Sequence, residues 1–147
     1  MAIIRRSCLK DLSYELTQMD TNGQKILYKD LSYAIVGLAM QVHNKLGYGF
    51  LEKVYENALM VQFRRKEIKA KQQAPITVYF NREVVGDYYA DILVEDKIII
   101  ELKTAEKISG AHRAQVLNYL KATGLQLAIL LNFGKEKLEY ERFIQIK

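Results

Sequence analysis

The feature that most constrains the fold of this chain is the stretch YADILVEDKIIIELKT, from Tyr89 to Thr104. It is rich in β-branched and aliphatic residues, which is typical of two consecutive core strands. Asp91, Glu101 and Lys103 interrupt the apolar runs at positions where a buried sheet rarely tolerates charge. The stretch therefore predicts a pair of strands that carries polar chemistry at one end.

The alternation within KIIIELK decides which of these charges lie together. Successive side chains of a strand point to opposite faces of the sheet. In a strand over residues 98–103, Glu101 and Lys103 therefore share one face near the strand end, whereas Ile100 and Leu102 share the other. The sequence predicts an acid and a base that project together from an otherwise apolar strand.

The length of the hairpin loop decides whether Asp91 meets Glu101. A two-residue loop at 95–96 pairs Asp91 with Ile100 and leaves Glu101 on the opposite face. A three-residue loop at 95–97 pairs Asp91 with Glu101, and three-residue hairpins are common. Only the longer loop places the two carboxylates side by side, and the sequence leaves both lengths open.

Two directly opposed carboxylates repel each other and destabilise a strand pair, and a divalent cation removes that penalty. Asp91, Glu101 and the backbone carbonyl of Leu102 would form an oxygen-rich site suited to Mg²⁺ or Mn²⁺. Lys103 would lie beside a phosphate at this site and stabilise developing negative charge, which suits phosphodiester hydrolysis. The alternative is structural, with a salt bridge between Glu101 and Lys103 and with Asp91 in solvent.

Two helices are predicted before these strands. The first begins near Asp30, its expected N-cap, and NKLGYGF stops it because glycine breaks helices. The second covers about residues 51–66. Its buried side is expected to come from Val54, Ala58, Val61 and Phe63.

Strands are predicted at about 74–80, 83–94 and 98–103, followed by a helix that ends at Gly124 and by two further strands in LQLAILLNF and LEYERFIQI. The order α-α-β-β-β-α-β-β predicts an α/β domain with a mixed central sheet flanked by helices. We assign this domain to residues 28–147 and treat residues 1–27 as an N-terminal arm or extension.

The composition narrows the class of protein. A length of 147 residues fits one domain, and a net charge of +5 is compatible with nucleic acid without being diagnostic. A single cysteine, Cys8, cannot form an intramolecular disulfide, the first ten residues lack a secretory apolar region, and no apolar run reaches the roughly 18 residues of a membrane span. These features predict a cytoplasmic protein without a membrane partner.

Four motifs occur in a specific order: G-x-x-E-x-x-Y at 49–55, Asp91, ELK at 101–103 and Q-x-x-x-Y at 115–119. Together they resemble the PD-(D/E)XK nuclease superfamily, and more narrowly its GxxExxY family, over roughly residues 30–145. Ala90 stands where the superfamily pattern has proline, a departure that the superfamily tolerates. The resemblance implies a restriction-endonuclease-like core and a Mg²⁺- or Mn²⁺-dependent nuclease acting on DNA or RNA.

The resemblance also implies roles for individual residues. Asp91 and Glu101 would bind the metal, Glu52 would be a further carboxylate at the metal, directly or through water, and Lys103 would be the catalytic lysine. Gln115 and Tyr119 are the remaining two members of the expected site. They would contact its metal-binding part or the nucleic acid.

Plainer roles are expected for several neighbours of these motifs. Tyr55 is expected to pack or hydrogen-bond, His112 to lie at the surface or cap its helix, and Glu56 to lie in solvent or behind the site. Lys107, Arg113 and Lys121 are candidates for phosphate contacts. The ten tyrosines could include platforms for base stacking, although core and interface roles are their ordinary use.

Two rival interpretations remain at this point. The fold could serve a catalytically silent module that binds nucleic acid or protein, or the chain could be a structural subunit of a larger complex. Clustered acids argue against a silent module, because such a module has no physical reason to keep repelling carboxylates. The sequence leaves open the type of nucleic acid, its strandedness, endonucleolytic or exonucleolytic action, and whether the protein forms a homo-oligomer.

Overall fold

The computed structural model describes residues 27–146, so most of the predicted arm, residues 1–26, lies outside the described residues. The helices are α1 (Lys29–Leu46), α2 (Glu52–Arg65) and α3 (Gly110–Thr123). The strands are β1 (Ala70–Phe80), β2 (Glu83–Val94), β3 (Ile98–Lys103), β4 (Leu127–Asn132) and β5 (Glu139–Ile144). The predicted order of elements is confirmed.

The strands form one five-stranded sheet in the order β1-β2-β3-β4-β5. Neighbouring strands are antiparallel except for β3 and β4, which are parallel. A parallel pair needs a crossover connection, and α3 supplies it. The predicted mixed sheet flanked by helices, of the restriction-endonuclease-like type, is therefore correct.

The sheet separates two hydrophobic cores. On one face, Ile100 and Leu102 pack with buried residues of α1 and α2. On the other face, Ile99 packs with Val116 and Leu120 of α3. Burial on both faces explains why β3 and β4 are almost continuously apolar, as strands of parallel pairs generally are.

Helix α1 buries a stripe of apolar residues at spacings of three and four, which includes Ile35, Leu38 and Val42. The expected N-cap is wrong, because Tyr28 holds that position with a φ of 52° and Asp30 lies in the first turn. A carboxylate there still interacts favourably with the positive end of the helix dipole. Within the described part of the chain, no helix is both long enough and apolar enough to cross a membrane.

Two further expectations need correction. Val54 and Val61 of α2 are exposed, and the residues that α2 buries are Tyr55, Glu56, Leu59 and Phe63. The strand β1 begins at Ala70 rather than near residue 74, because it pairs with β2 down to the base of the hairpin, where Ala70 lies opposite Val94. Both differences come from packing against distant elements, which local patterns do not show.

Candidate active site

The β2–β3 hairpin has the longer of the two possible loops. Val94 pairs with Ile98, and Ile92 pairs with Ile100, so the loop contains three residues, Glu95–Lys97. Glu95 and Asp96 both adopt positive φ, which lets the chain reverse in so few residues. Asp91 and Glu101 are consequently the next residues along the two strands, and the register that brings the carboxylates together is confirmed.

Asp91 and Glu101 are joined by hydrogen bonds between side chain and backbone. The amide of Asp91 donates to Oε1 of Glu101 at 3.0 Å, and the amide of Leu102 donates to Oδ2 of Asp91 at 2.8 Å. The regular β2–β3 pairing ends one residue earlier, at Ile92 and Ile100. The two carboxylates therefore bridge the strands where the ladder stops.

The salt-bridge alternative is wrong. Among the described residues, the ion pairs do not include one between Glu101 and Lys103. Asp91 is half-buried and hydrogen-bonded rather than free in solvent. The charges of this stretch thus form a cluster of acids beside a lysine.

Burial disfavours ionisation of Asp91 and Glu101. Glu101 is only 3% exposed. Its burial, and then the charge of Asp91, raise the pKa of Glu101 to about 8. Burial also raises the pKa of Asp91, although the hydrogen bond from the Leu102 amide acts in the opposite direction. At neutral pH and without a cation, the pair tends to hold one proton between its two carboxyl groups.

The G-x-x-E-x-x-Y motif builds the entry to α2. The hydroxyl of Tyr55 donates to the carbonyl of Gly47 at 2.7 Å and accepts from the amide of Phe50 at 3.2 Å. The Tyr55 ring is buried and stacks on Phe133 with ring centroids 4.6 Å apart. Gly49 has a φ of 114°, a conformation that favours glycine. Packing and hydrogen bonding, the expected role of Tyr55, is what the structure shows.

This anchored loop places Glu52 in the first turn of α2, at the surface and near the acid pair. Partial burial of its carboxyl raises the pKa of Glu52, Lys103 lowers it, and Asp91 raises it again. Such mutual influence means that the four predicted residues, Glu52, Asp91, Glu101 and Lys103, lie within electrostatic reach of one another.

The donor set fits a Mg²⁺-type cation. Within residues 27–146, no three His, Cys, Asp or Glu side chains form a ready-made metal cluster. Mg²⁺ does not require one, because it commonly binds through one or two carboxylates and keeps several of its waters. Asp91 and Glu101 supply two such oxygen ligands, and a cation beside them would relieve the repulsion that raises their pKa values.

The end of β3 is fixed by Asn132, which the sequence did not single out. Asn132 pairs with Lys103 in the sheet. Its side chain accepts from the amide of Ala105 and donates to the carbonyl of Ala105, both at 2.9 Å. A Cβ on Gly134 would lie 2.5 Å from the Ala105 backbone, so only glycine allows this approach. Together they fix the backbone that follows Lys103.

Helix α3 brings Gln115 and Tyr119 to the same region. Gln115 Nε2 donates to the Tyr119 hydroxyl at 3.1 Å. Burial, and then the charge of Glu101, raise the pKa of Tyr119, so its phenol lies near the acid pair. His112 forms a capping box with Ser109 at the start of α3, which confirms the expected capping role.

Glu56 lies behind the acid pair, which is one of the two places that the sequence analysis allowed. It is buried, so the alternative of a charge in solvent is wrong. It accepts hydrogen bonds from Lys53, Gln72 and Gln73 at 2.6–2.9 Å. A hydrogen bond with Gln73 also tends to lower the pKa of Asp91, which links Glu56 to the acid pair. One signal was present, because Glu56 shares a helix face with Glu52 and Tyr55.

The family follows from a sequence profile of the PD-(D/E)XK nuclease superfamily, which matches residues 29–143. The chain belongs to the PD-(D/E)XK nuclease superfamily. PD-(D/E)XK nucleases generally use divalent metal ions, in keeping with the paired carboxylates of Asp91 and Glu101. No curated protein gives a match to the chain.

Two solved structures are similar to this PD-(D/E)XK chain. The crystal structure of SSO0001 aligns with a TM-score of 0.51 and 17% identity over 65% of this chain and 51% of that one. The present chain therefore spans about half the length of SSO0001. An alkaline exonuclease, LHK-Exo from Laribacter hongkongensis, aligns with a TM-score of 0.47 and 14% identity over 82% and 73% of the two chains. The likeness to SSO0001 concerns the fold alone.

Proposed function

We propose that this protein is a Mg²⁺- or Mn²⁺-dependent nuclease that hydrolyses phosphodiester bonds of DNA or RNA. The observation that carries the proposal is the convergence of the Asp91 and Glu101 carboxylates at the end of β3, beside Lys103. Two buried acids that repel each other destabilise the metal-free fold, and a bound cation would offset this repulsion.

Each residue of the site has a distinct task in this proposal. Asp91, Glu101 and the Leu102 carbonyl hold the cation, and Glu52 assists directly or through water. A divalent cation in this position supplies Lewis acidity to the phosphate and lowers the pKa of water. Lys103 stabilises the negative charge that develops on the phosphate oxygens. Its effect on the pKa values of all three acids supports a position within reach of the same phosphate.

Gln115 and Tyr119 bind the nucleic acid next to the scissile phosphate in this proposal. Their mutual hydrogen bond fixes the Gln115 amide and leaves the hydroxyl hydrogen of Tyr119 available to an acceptor. The charge of Glu101 reaches Tyr119, which supports a place for both side chains at the edge of the acid pair.

Within the superfamily, we assign the chain to the GxxExxY family. The assignment is supported by the way in which the motif works as one unit. Tyr55 anchors the loop that contains Gly49, and this loop leads into the turn that carries Glu52.

Purified protein incubated with single- and double-stranded DNA and RNA, in Mg²⁺, Mn²⁺ or EDTA, tests the proposal. We expect cleavage only with metal, and its loss in Glu101→Ala and Lys103→Ala. Glu106→Ala and Lys137→Ala are matched controls, because both residues are exposed and belong to none of the site motifs. Cleavage that persists in EDTA or in both site variants would refute the proposal. No cleavage of any of the four substrates would favour a catalytically silent module.

A further inference from the structure

The β1–β2 hairpin extends beyond the rest of the sheet. The strand β2 pairs with β3 only over Ile92–Val94, so residues 74–90 of the hairpin have no β3 neighbour. Ala74, Ile76 and Ala90 near its middle pack against α3. Its tip turns at Asn81–Arg82, both with positive φ, and remains uncovered by α3. A groove therefore opens between the projecting hairpin and α3.

This groove, which we call the hairpin groove, has a volume of about 1030 Å³. Two exposed aromatic residues of the hairpin, Phe80 (67%) and Tyr88 (52%), line its α3-facing wall. The exposed Tyr79 (63%) also borders the groove, but as the neighbour of Phe80 in β1 it points to the opposite face of the strand. Monomeric soluble proteins rarely expose contiguous apolar side chains, and such patches commonly mark binding sites. The hairpin groove is thus shaped and lined to bind something flat and partly apolar.

The hairpin groove is continuous with the acid pair. Gln115 and Tyr119 belong to its lining, and the Tyr88 and Tyr119 ring centroids are 6.0 Å apart. The charges of Glu101 and Asp91 both reach the Tyr119 phenol. A ligand that fills the groove therefore ends beside the proposed catalytic carboxylates.

The small number of charged residues in the groove lining favours single-stranded over double-stranded nucleic acid as its ligand. Among the described residues that line the hairpin groove, Lys121 is the one charged side chain. A protein that grips a duplex does so mainly through many basic contacts to phosphates. Exposed aromatic rings instead stack on unpaired bases, whose flat faces are hidden within a duplex.

We propose that the hairpin groove binds a single-stranded segment of nucleic acid, with bases stacked on Phe80 and Tyr88 and the backbone leading to Asp91 and Glu101. This deepens the proposed nuclease function and rests on it for the chemistry, while the binding itself requires no catalysis. The substrate class of the site is accordingly single-stranded DNA or RNA, or a single-stranded end of a duplex.

Binding in EDTA tests the groove separately from cleavage. Fluorescence anisotropy measures the affinity for dye-labelled oligothymidine and for a duplex of equal length. Wild type should bind the single strand more tightly. The double variant Phe80→Ala, Tyr88→Ala should bind it at least about fivefold more weakly for each ring that stacks on a base. Tyr33→Ala is the matched control, because Tyr33 is 62% exposed on α1, away from the groove.

A second pair of variants separates charge from bulk. Ala114 is exposed on α3 and lines the groove. Ala114→Glu should weaken oligothymidine binding more than Ala114→Gln, and higher salt should reduce the difference, because only the carboxylate repels phosphate. Equal affinities of these two variants would contradict a nucleic-acid backbone in the groove.

The outcomes for the groove and for the nuclease can be told apart. Unchanged binding by the double variant, tighter binding of duplex, or no oligonucleotide binding at all would overturn the groove proposal, even if cleavage is observed. A concentration-dependent dimer of wild type that the double variant abolishes would assign the hairpin to a second copy of the chain and also overturn it. Single-strand binding without metal-dependent cleavage would uphold the groove and refute the nuclease.

Discussion

The backbone amide of Asp91 donates a hydrogen bond to the carboxylate of Glu101 over 3.0 Å, at the point where the β2–β3 ladder ends. Main-chain geometry thereby holds two acids in contact although their charges repel. Electrostatic strain of this kind is typical of functional sites, and it makes the site accessible to measurements that need no substrate.

The stability of the metal-free protein should fall as pH rises. The pKa of Glu101 is about 8 in the folded protein and 4.5 as its ordinary value. Because the pKa of Glu101 is higher in the folded than in the unfolded protein, its protonation stabilises the fold. This contribution to the free energy of unfolding is complete below pH 4.5 and is lost progressively up to about pH 8. Urea unfolding in EDTA at pH 5, 6.5, 8 and 9 measures this decline. Glu101→Gln should show a shallower decline and be at least as stable as wild type at pH 8.

The comparison between wild type and Glu101→Gln cancels the other titrating groups, which both proteins share. If the unfolding free energies of the two proteins depend on pH in the same way, the pKa of Glu101 in the folded protein is close to its ordinary value. The inference that burial raises this pKa would then be wrong. A mutant that is less stable than wild type at every pH would mean that the Glu101 carboxylate stabilises the metal-free fold, which contradicts the repulsion inferred for the acid pair.

Mn²⁺ should stabilise the wild-type fold. A ligand that binds only the folded state, at ten times its Kd, contributes roughly 1.4 kcal/mol. For a domain of this size, that corresponds to a rise in Tm of roughly 3–6 °C. Glu101→Gln should lose most of the shift, whereas Glu106→Gln, changed at an exposed position, should keep it. Thermal melts that show no Mn²⁺ shift in wild type would exclude the proposed cation site.

Lys103→Ala should separate catalysis from cation binding. Removal of one group that stabilises transition-state charge typically lowers kcat by about a hundredfold or more. The Mn²⁺-induced rise in Tm should persist or increase, because Lys103 is a positive charge near the proposed cation. Steady-state kinetics and thermal melts of the same preparation give both quantities. Loss of the Mn²⁺ shift together with activity would instead make Lys103 part of the scaffold of the site.

Tyr55→Phe should weaken the entry to α2 without changing the core. The variant keeps the ring stacked on Phe133 but loses the hydrogen bonds to the Gly47 carbonyl and from the Phe50 amide, which together cost about 1–2 kcal/mol. We expect Tm to fall by about 3–8 °C. Tyr48→Phe, at an exposed tyrosine in the same loop, should leave Tm unchanged. Abolished cleavage with unaltered stability would show that the Tyr55 hydroxyl takes part in the chemistry.

Two strictly local patterns gave correct predictions, whereas the local N-cap signal at Asp30 did not. Alternation within six residues placed Glu101 and Lys103 on one face of β3, because the two-residue period of a strand is a property of its own backbone. The stop of α3 at Gly124 was equally local, since glycine readily adopts the left-handed conformation observed there. The order of helices and strands followed from such signals.

Tertiary structure alone decided how these segments meet. It selected the three-residue loop that brings Asp91 to Glu101, since the sequence was compatible with either loop length. It also determined the orientation of α2, in which Glu56 is buried and Val54 is exposed. This orientation follows because Tyr55 is fixed by contacts to Gly47 and Phe133. Contacts between residues distant in sequence depend on the packing of the whole sheet and its helices. The sequence by itself therefore singled out the acids and the lysine as candidate site residues, and the fold determined their distances, their burial and the direction of their pKa shifts.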